Sequence, residues 1–138
     1  MHQLPIVFSR MFFIMVLLGG TATNLLANQR GDRTTERARQ AVEEASPDDW
    51  HTLARSAKLC IAKGVNLKEA AGWLKQSLDI KETPYNLCVQ GDYYVKNRLP
   101  EQALESYSKS IRVGKISDPS YADAATQKKI LRLVRQKG

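Results

Sequence analysis

Shifted by 33 residues, the middle of this 138-residue sequence lies on itself. Ala70 falls on Ala103, Leu74 on Tyr107, Ser77 on Ser110 and Leu78 on Ile111. The same shift carries Glu69 onto Gln102 and Ile61 onto Tyr94. A period of this length is that of one helical hairpin. Such a hairpin cannot bury its apolar face alone and must stack on a neighbour. No segment shows the sustained alternation of a strand, so the expected class is all-α.

Apolar residues recur at spacings of three and four, which places them on one face of a helix. This predicts helices over 47–63, 67–81, 84–97 and 100–114. A further helix begins near Pro119, and a shorter leading helix covers 33–45. Trp50, Leu53, Ala54, Ala57 and Ile61 line the first of these faces, and Leu67, Ala70, Ala71, Leu74 and Leu78 the second. Pro47, Pro84, Pro100 and Pro119 each precede such a stretch. Proline suits a first helical turn because its missing N–H has no partner there. Ser46, Thr83 and Asp118 stand before three of them as caps. Ser46–Pro47–Asp48–Asp49 and Asn66-x-x-Glu69 both read as capping boxes. Connections of two to five residues imply antiparallel neighbours. The expected architecture is thus five to six helices, stacked as antiparallel hairpins behind an N-terminal export sequence.

That export sequence occupies residues 1–27. Arg10 is their only Lys or Arg, and the run Met11–Leu18 is wholly apolar before Gly19 and Gly20. A short positive region, an apolar stretch and small residues make a secretory signal. The run falls short of the roughly 20 residues of a spanning helix. Cleavage after Ala22 or Ala27 fits the small-residue rule. The expected location is periplasmic or secreted, with anchoring in the inner membrane as the alternative. Residues 28–46 then form a linker with the leading helix, 47–115 the two repeats, and 118–138 a capping helix with a basic tail.

Two cysteines, Cys60 and Cys88, belong to the exported part. Their spacing matches no metal or redox motif. Export would let a disulfide between them persist. Two small buried side chains are the other reading.

The net charge of +7 is unevenly spread. Lys128, Lys129, Arg132, Arg135 and Lys137 all follow the last acid, Asp123, whereas 46–123 is close to neutral. Such a balance admits an acidic partner or an anionic membrane surface. Zinc-finger spacing and an aromatic RNA-binding signature are both missing, so nucleic acid is not favoured. Lys128, Arg132 and Arg135 share one stripe of the last helix. Leu131 and Val134 are read as lying opposite, where they would pack on the preceding hairpin.

The repeat resembles the tetratricopeptide (TPR) motif. Leu87, Gly91 and Tyr94 occupy the large, small and aromatic places of its first helix. Ala103, Tyr107 and Ser110 occupy the small, aromatic and small places of its second. Gly91 is expected to face Ala103 at the helix crossing. In the first unit Lys58 stands where the small residue belongs. The turn glycine, Gly64, becomes Asn97 in the second unit, where asparagine also tolerates a left-handed backbone. The stretch 49–115 also resembles the helical tail of a family of uncharacterised exported bacterial proteins.

The resemblance implies a short TPR-like solenoid and a peptide groove along its first helices. Carried over, the groove residues are Arg55, Lys63, Tyr85, Asp92 and Lys96. The cations would meet the carboxylates of an extended peptide, with Tyr85 as an apolar wall. The asparagine of the chaperone-type carboxylate clamp is replaced by Leu59. No catalysis, cofactor or metal is expected: the exported part has one histidine, His51, and no HExxH, phosphate loop or nucleophile elbow. The expected function is a protein-interaction module or scaffold; the alternative is a membrane-associated structural protein held by an uncleaved N-terminal segment or by the basic C-terminal helix.

Overall fold

In the computed structural model, residues 33–137 are described. The signal sequence read in residues 1–27 lies outside them. The described residues form six helices with short connections, and none of these residues is in a strand. α1 covers 33–43, α2 Trp50–Lys63, α3 Leu67–Ile80, α4 Pro84–Lys96, α5 Pro100–Ser117 and α6 Ala124–Lys137. Among these residues, no helix is long and apolar enough to cross a membrane.

The helices pair in chain order, α2 with α3 and α4 with α5. α4 also lies on α2 and α3, and α6 lies on α5. One buried cluster joins Ala38 of α1, Ala57, Cys60 and Ile61 of α2, Ala70 and Leu74 of α3, and Val89 of α4. A second joins Ala103 and Tyr107 of α5 to Leu133 of α6. α1 is also tied down by the Arg39 guanidinium, which donates to both carboxylate oxygens of Glu69 at 2.9 and 2.6 Å. This pair holds the Glu69 carboxyl down to about 2.

Two equivalent hydrogen bonds set the register of the hairpins. Ser77 Oγ donates to the Trp50 carbonyl at 2.7 Å, and Ser110 Oγ to the Pro84 carbonyl at 2.7 Å. Each serine thus ties its helix to the first residue of the preceding one. The serines are 33 residues apart, but Trp50 and Pro84 are 34 apart. The first helices end alike too, with the Val65 N–H on the Cys60 carbonyl and the Leu99 N–H on the Tyr94 carbonyl. Both of those pairs are again 34 apart.

The first helices therefore repeat at 34 and the second at 33. Asn66, at φ 49°, is the extra residue between them. This corrects the reading of Lys58. The small residue equivalent to Gly91 is Ala57, and both are buried. Lys58 is exposed instead, with its ammonium 5.1 Å from the centre of the Tyr85 ring.

The turn after α4 needs a second correction. Asn97 sits at φ −90°, and the left-handed residue is Arg98, at φ 60°, in the place of Gly64. The crowding of Cβ against the backbone makes this conformation costly for an arginine, whereas glycine adopts it freely. Arg98→Gly is expected to stabilise the protein by about 0.5–1 kcal/mol, a rise of roughly 3–6 °C in melting temperature. A thermal melt followed by circular dichroism checks this. An unchanged or lower midpoint would mean that the arginine side chain offsets its backbone strain.

Helix starts were only partly set by proline. Pro84 and Pro100 open α4 and α5, but α2 begins at Trp50 and α6 at Ala124. Asp49 takes the cap of α2, accepting the Thr52 N–H at 2.9 Å. Asp118 accepts the N–H and hydroxyl of Ser120, which folds 118–121 into a turn rather than a helix. Asp123 then caps α6 through the Ala125 and Thr126 N–H groups. Asn66 precedes α3 but makes no side-chain cap bond, and Glu69 is drawn to Arg39 instead.

Candidate functional site

A cleft of about 430 Å³ opens where the first helices of the two hairpins lie side by side. Trp50 and Lys58 of α2 and Tyr85, Cys88 and Asp92 of α4 form its walls. Tyr121, Asp123 and Lys129, from the approach to α6 and α6 itself, bound the remainder. The spacing 85, 88, 92 puts one face of α4 into the cleft, as the 3.6-residue turn requires.

The aromatic wall is continuous. The rings of His51 and Tyr85 are 5.2 Å apart, and His51 stands edge-on to Trp50 at 5.4 Å. Lysines cover both ends, Lys58 over Tyr85 and Lys81 over Trp50 at 6.0 Å. Cations on aromatic faces hold their long side chains near the rings while their charge stays in water. Burial raises the Tyr85 phenol above its ordinary value, although Arg55 opposes the shift.

The other end of the cleft is closed by a polar latch. Lys129 Nζ lies 2.6 and 2.9 Å from the two carboxylate oxygens of Asp92. Tyr107 donates its hydroxyl to Asp92 Oδ1 at 2.7 Å. Cys88 Sγ is 3.4 Å from Lys129 Nζ and 3.2 Å from Thr126 Oγ1, and Thr126 donates to Asp123 at 2.6 Å. This chain of contacts joins α4, α5 and α6.

Its electrostatics follow from burial and pairing. Burial is the largest single influence on the Lys129 ammonium and works against it, but the hydrogen bond and charge of Asp92 together with the contact to Cys88 outweigh it, and the net shift is upward. The Tyr107 phenol is pushed strongly up, first by burial and then by the neighbouring carboxylate. The Thr126 hydroxyl helps to hold the Asp123 carboxyl below the usual range. All three groups are thus kept in their ordinary neutral-pH states.

Of the five groove residues, the structure brings Tyr85 and Asp92 into the cleft. Asp92 is occupied by Lys129 and Tyr107. Arg55, Lys63 and Lys96 are exposed and lie outside its lining. Lys96 runs along the turn at Gly64, against the end of α2. Cys60 and Cys88 are both free: Cys60 is buried in the first cluster, while Cys88 faces Thr126 and Lys129. Among the described residues no group of three or more His, Cys, Asp or Glu side chains is placed to hold a metal.

Lys129 is the site residue that charge patterning passed over. Reading Lys128, Arg132 and Arg135 as one stripe grouped the cations and left Lys129 out. The signal was present in Thr126, Lys129, Ile130 and Leu133, spaced i, i+3, i+4 and i+7. These form the inward face of α6: Thr126 and Leu133 are buried, Ile130 and Lys129 half-buried.

No protein-family model matches the chain, nor does any curated protein or solved structure.

Proposed function

We propose that this chain is a TPR-like interaction module that takes an extended segment of another protein along α2 and α4. The observation that carries this reading is the open cleft at their junction, with Trp50 and Tyr85 as an apolar wall and Lys58 over it. An extended segment would set an apolar side chain against the aromatic wall. Its carboxylates would meet Lys58 and the exposed Arg55. The equivalent serine bonds and the paired small residues, Ala57 and Gly91, support the comparison with tetratricopeptide hairpins. The role is binding rather than catalysis, and residues 1–27 direct the module out of the cytoplasm.

Selection of a displayed random-peptide library on the purified protein tests this. Peptides combining an aromatic or large aliphatic residue with flanking acids are expected to be enriched. Arg55→Glu with Lys58→Glu should weaken their binding by about tenfold or more, because it reverses both cations at the mouth. Both residues are exposed, so the melting temperature should hold. Absence of enrichment, or equal binding by the double variant, would refute the groove.

A further inference from the structure

The outward face of α6 differs from its sequence reading. At 100° per residue, Leu131 and Val134 do not oppose the cations but lie beside them. Around the helix the order is Val134, Leu131, Arg135, Lys128, Arg132. The structure leaves Leu131 55% and Val134 52% exposed, while the inward contacts go to Thr126, Ile130 and Leu133. Lys128, Arg132 and Arg135 are exposed as well. No acid lies between Asp123 and the end of the chain. The Lys129–Asp92 latch anchors the opposite side of the helix, so it is this apolar-and-basic strip that is turned to solvent.

We infer that the outer face of α6 docks on an anionic lipid surface. The apolar strip and the cation strip run side by side along one helix. A bilayer surface meets both: Leu131 and Val134 enter the acyl boundary while the long basic side chains reach the headgroup phosphates. A polyphosphate backbone would engage the cations and leave the apolar pair unused. A second copy paired face to face on a two-fold axis would either oppose the two cation strips or set each apolar strip against the other copy's cations. The association is peripheral, and each cation near the surface strengthens it roughly fivefold.

The test is partition of the purified full chain onto vesicles, one third phosphatidylglycerol in phosphatidylcholine, compared with phosphatidylcholine alone. The ratio of the two partition coefficients is read, because any affinity of residues 1–27 for lipid is common to all variants. Lys128→Gln, Arg132→Gln and Arg135→Gln together are expected to lower this ratio by about 100-fold. Raising salt from about 0.1 M to about 1 M should act in the same direction, since the screening length falls from about 10 Å to about 3 Å. Leu131→Ser with Val134→Ser should weaken binding to anionic vesicles by about tenfold or more. All five positions are exposed, and unchanged melting temperatures would confirm that the variants fold.

An unchanged ratio in the triple variant overturns the inference. So does equal binding by the serine variant, which would point to a purely electrostatic partner such as an acidic polypeptide. A dimer in sedimentation equilibrium that Leu131→Ser dissociates would assign the face to a second copy.

Discussion

Gly91→Ala should destabilise the protein by about 2–3 kcal/mol, lowering its melting temperature by roughly 10–20 °C. On an exposed helix the same change would stabilise by up to about 1 kcal/mol through propensity. Here a methyl group on Gly91 overlaps the ring of Tyr107. The ring is 2% exposed and its hydroxyl is bonded to Asp92, so it has little room to retreat. Moving it would also disturb the seat of Lys129 and hence α6.

The first hairpin suggests the rescue. At the equivalent places it carries Ala57 and Leu74, both buried in one cluster: a larger small residue facing a smaller large one. Gly91→Ala with Tyr107→Leu should therefore be less destabilising than the sum of the two single changes, by about 1 kcal/mol or more. Urea unfolding of the four proteins measures this. Strict additivity, or a stabilised Gly91→Ala, would show that the ring is not confined by the glycine.

The second large effect is expected at Asn86, a wholly buried polar residue. Its side-chain amide donates to the Lys81 carbonyl at 2.7 Å and to Ser77 Oγ at 3.0 Å. Its oxygen accepts the Thr83 N–H at 2.8 Å. One side chain thus satisfies the end of α3, the connection and the start of α4. Asn86→Ala should cost about 3–4 kcal/mol, because each buried partner left unmatched costs about 1–3 kcal/mol. Asn86→Asp keeps the acceptor for Thr83 but turns carboxylate oxygens toward acceptors on Lys81 and Ser77. It should be most destabilising above the ordinary aspartate range of about 4 and recover partly in acid. Destabilisation of Asn86→Ala by less than about 1 kcal/mol would mean that water replaces these bonds.

How far the molecule was legible depends on how local each cause is. Pro84 and Thr83 mark the start of α4, because a missing N–H and a capping hydroxyl act within one turn. Pro119 has the same local credentials, yet no helix starts there. Asp118 finds Ser120, Tyr121 packs over Gly114, and the helix waits for Asp123. The repeat was visible in Ser77 and Ser110, but its true register was not. The one-residue offset lies in the hydrogen bonds to Trp50 and Pro84, which a shift of residue names does not reveal. Within the candidate site, Tyr85 and Asp92 were named through the tetratricopeptide resemblance, and both line the cleft. Lys129 was missed because it was grouped with the neighbouring cations rather than with Thr126, Ile130 and Leu133, whose spacing it shares.

The sequence alone determined that the described part of the chain is helical, roughly where most of its helices run, and that two hairpins repeat. These follow from spacing and caps, which act over a few residues and are written in order. Only the tertiary structure decided which face of α6 is buried, that Asp92 belongs to Lys129 and Tyr107, and that Cys60 and Cys88 look in different directions. Those outcomes depend on which side chains meet across 15 to 41 positions of chain. Packing settles such meetings by volume and desolvation together, and an isolated helix carries no record of its neighbour's shape.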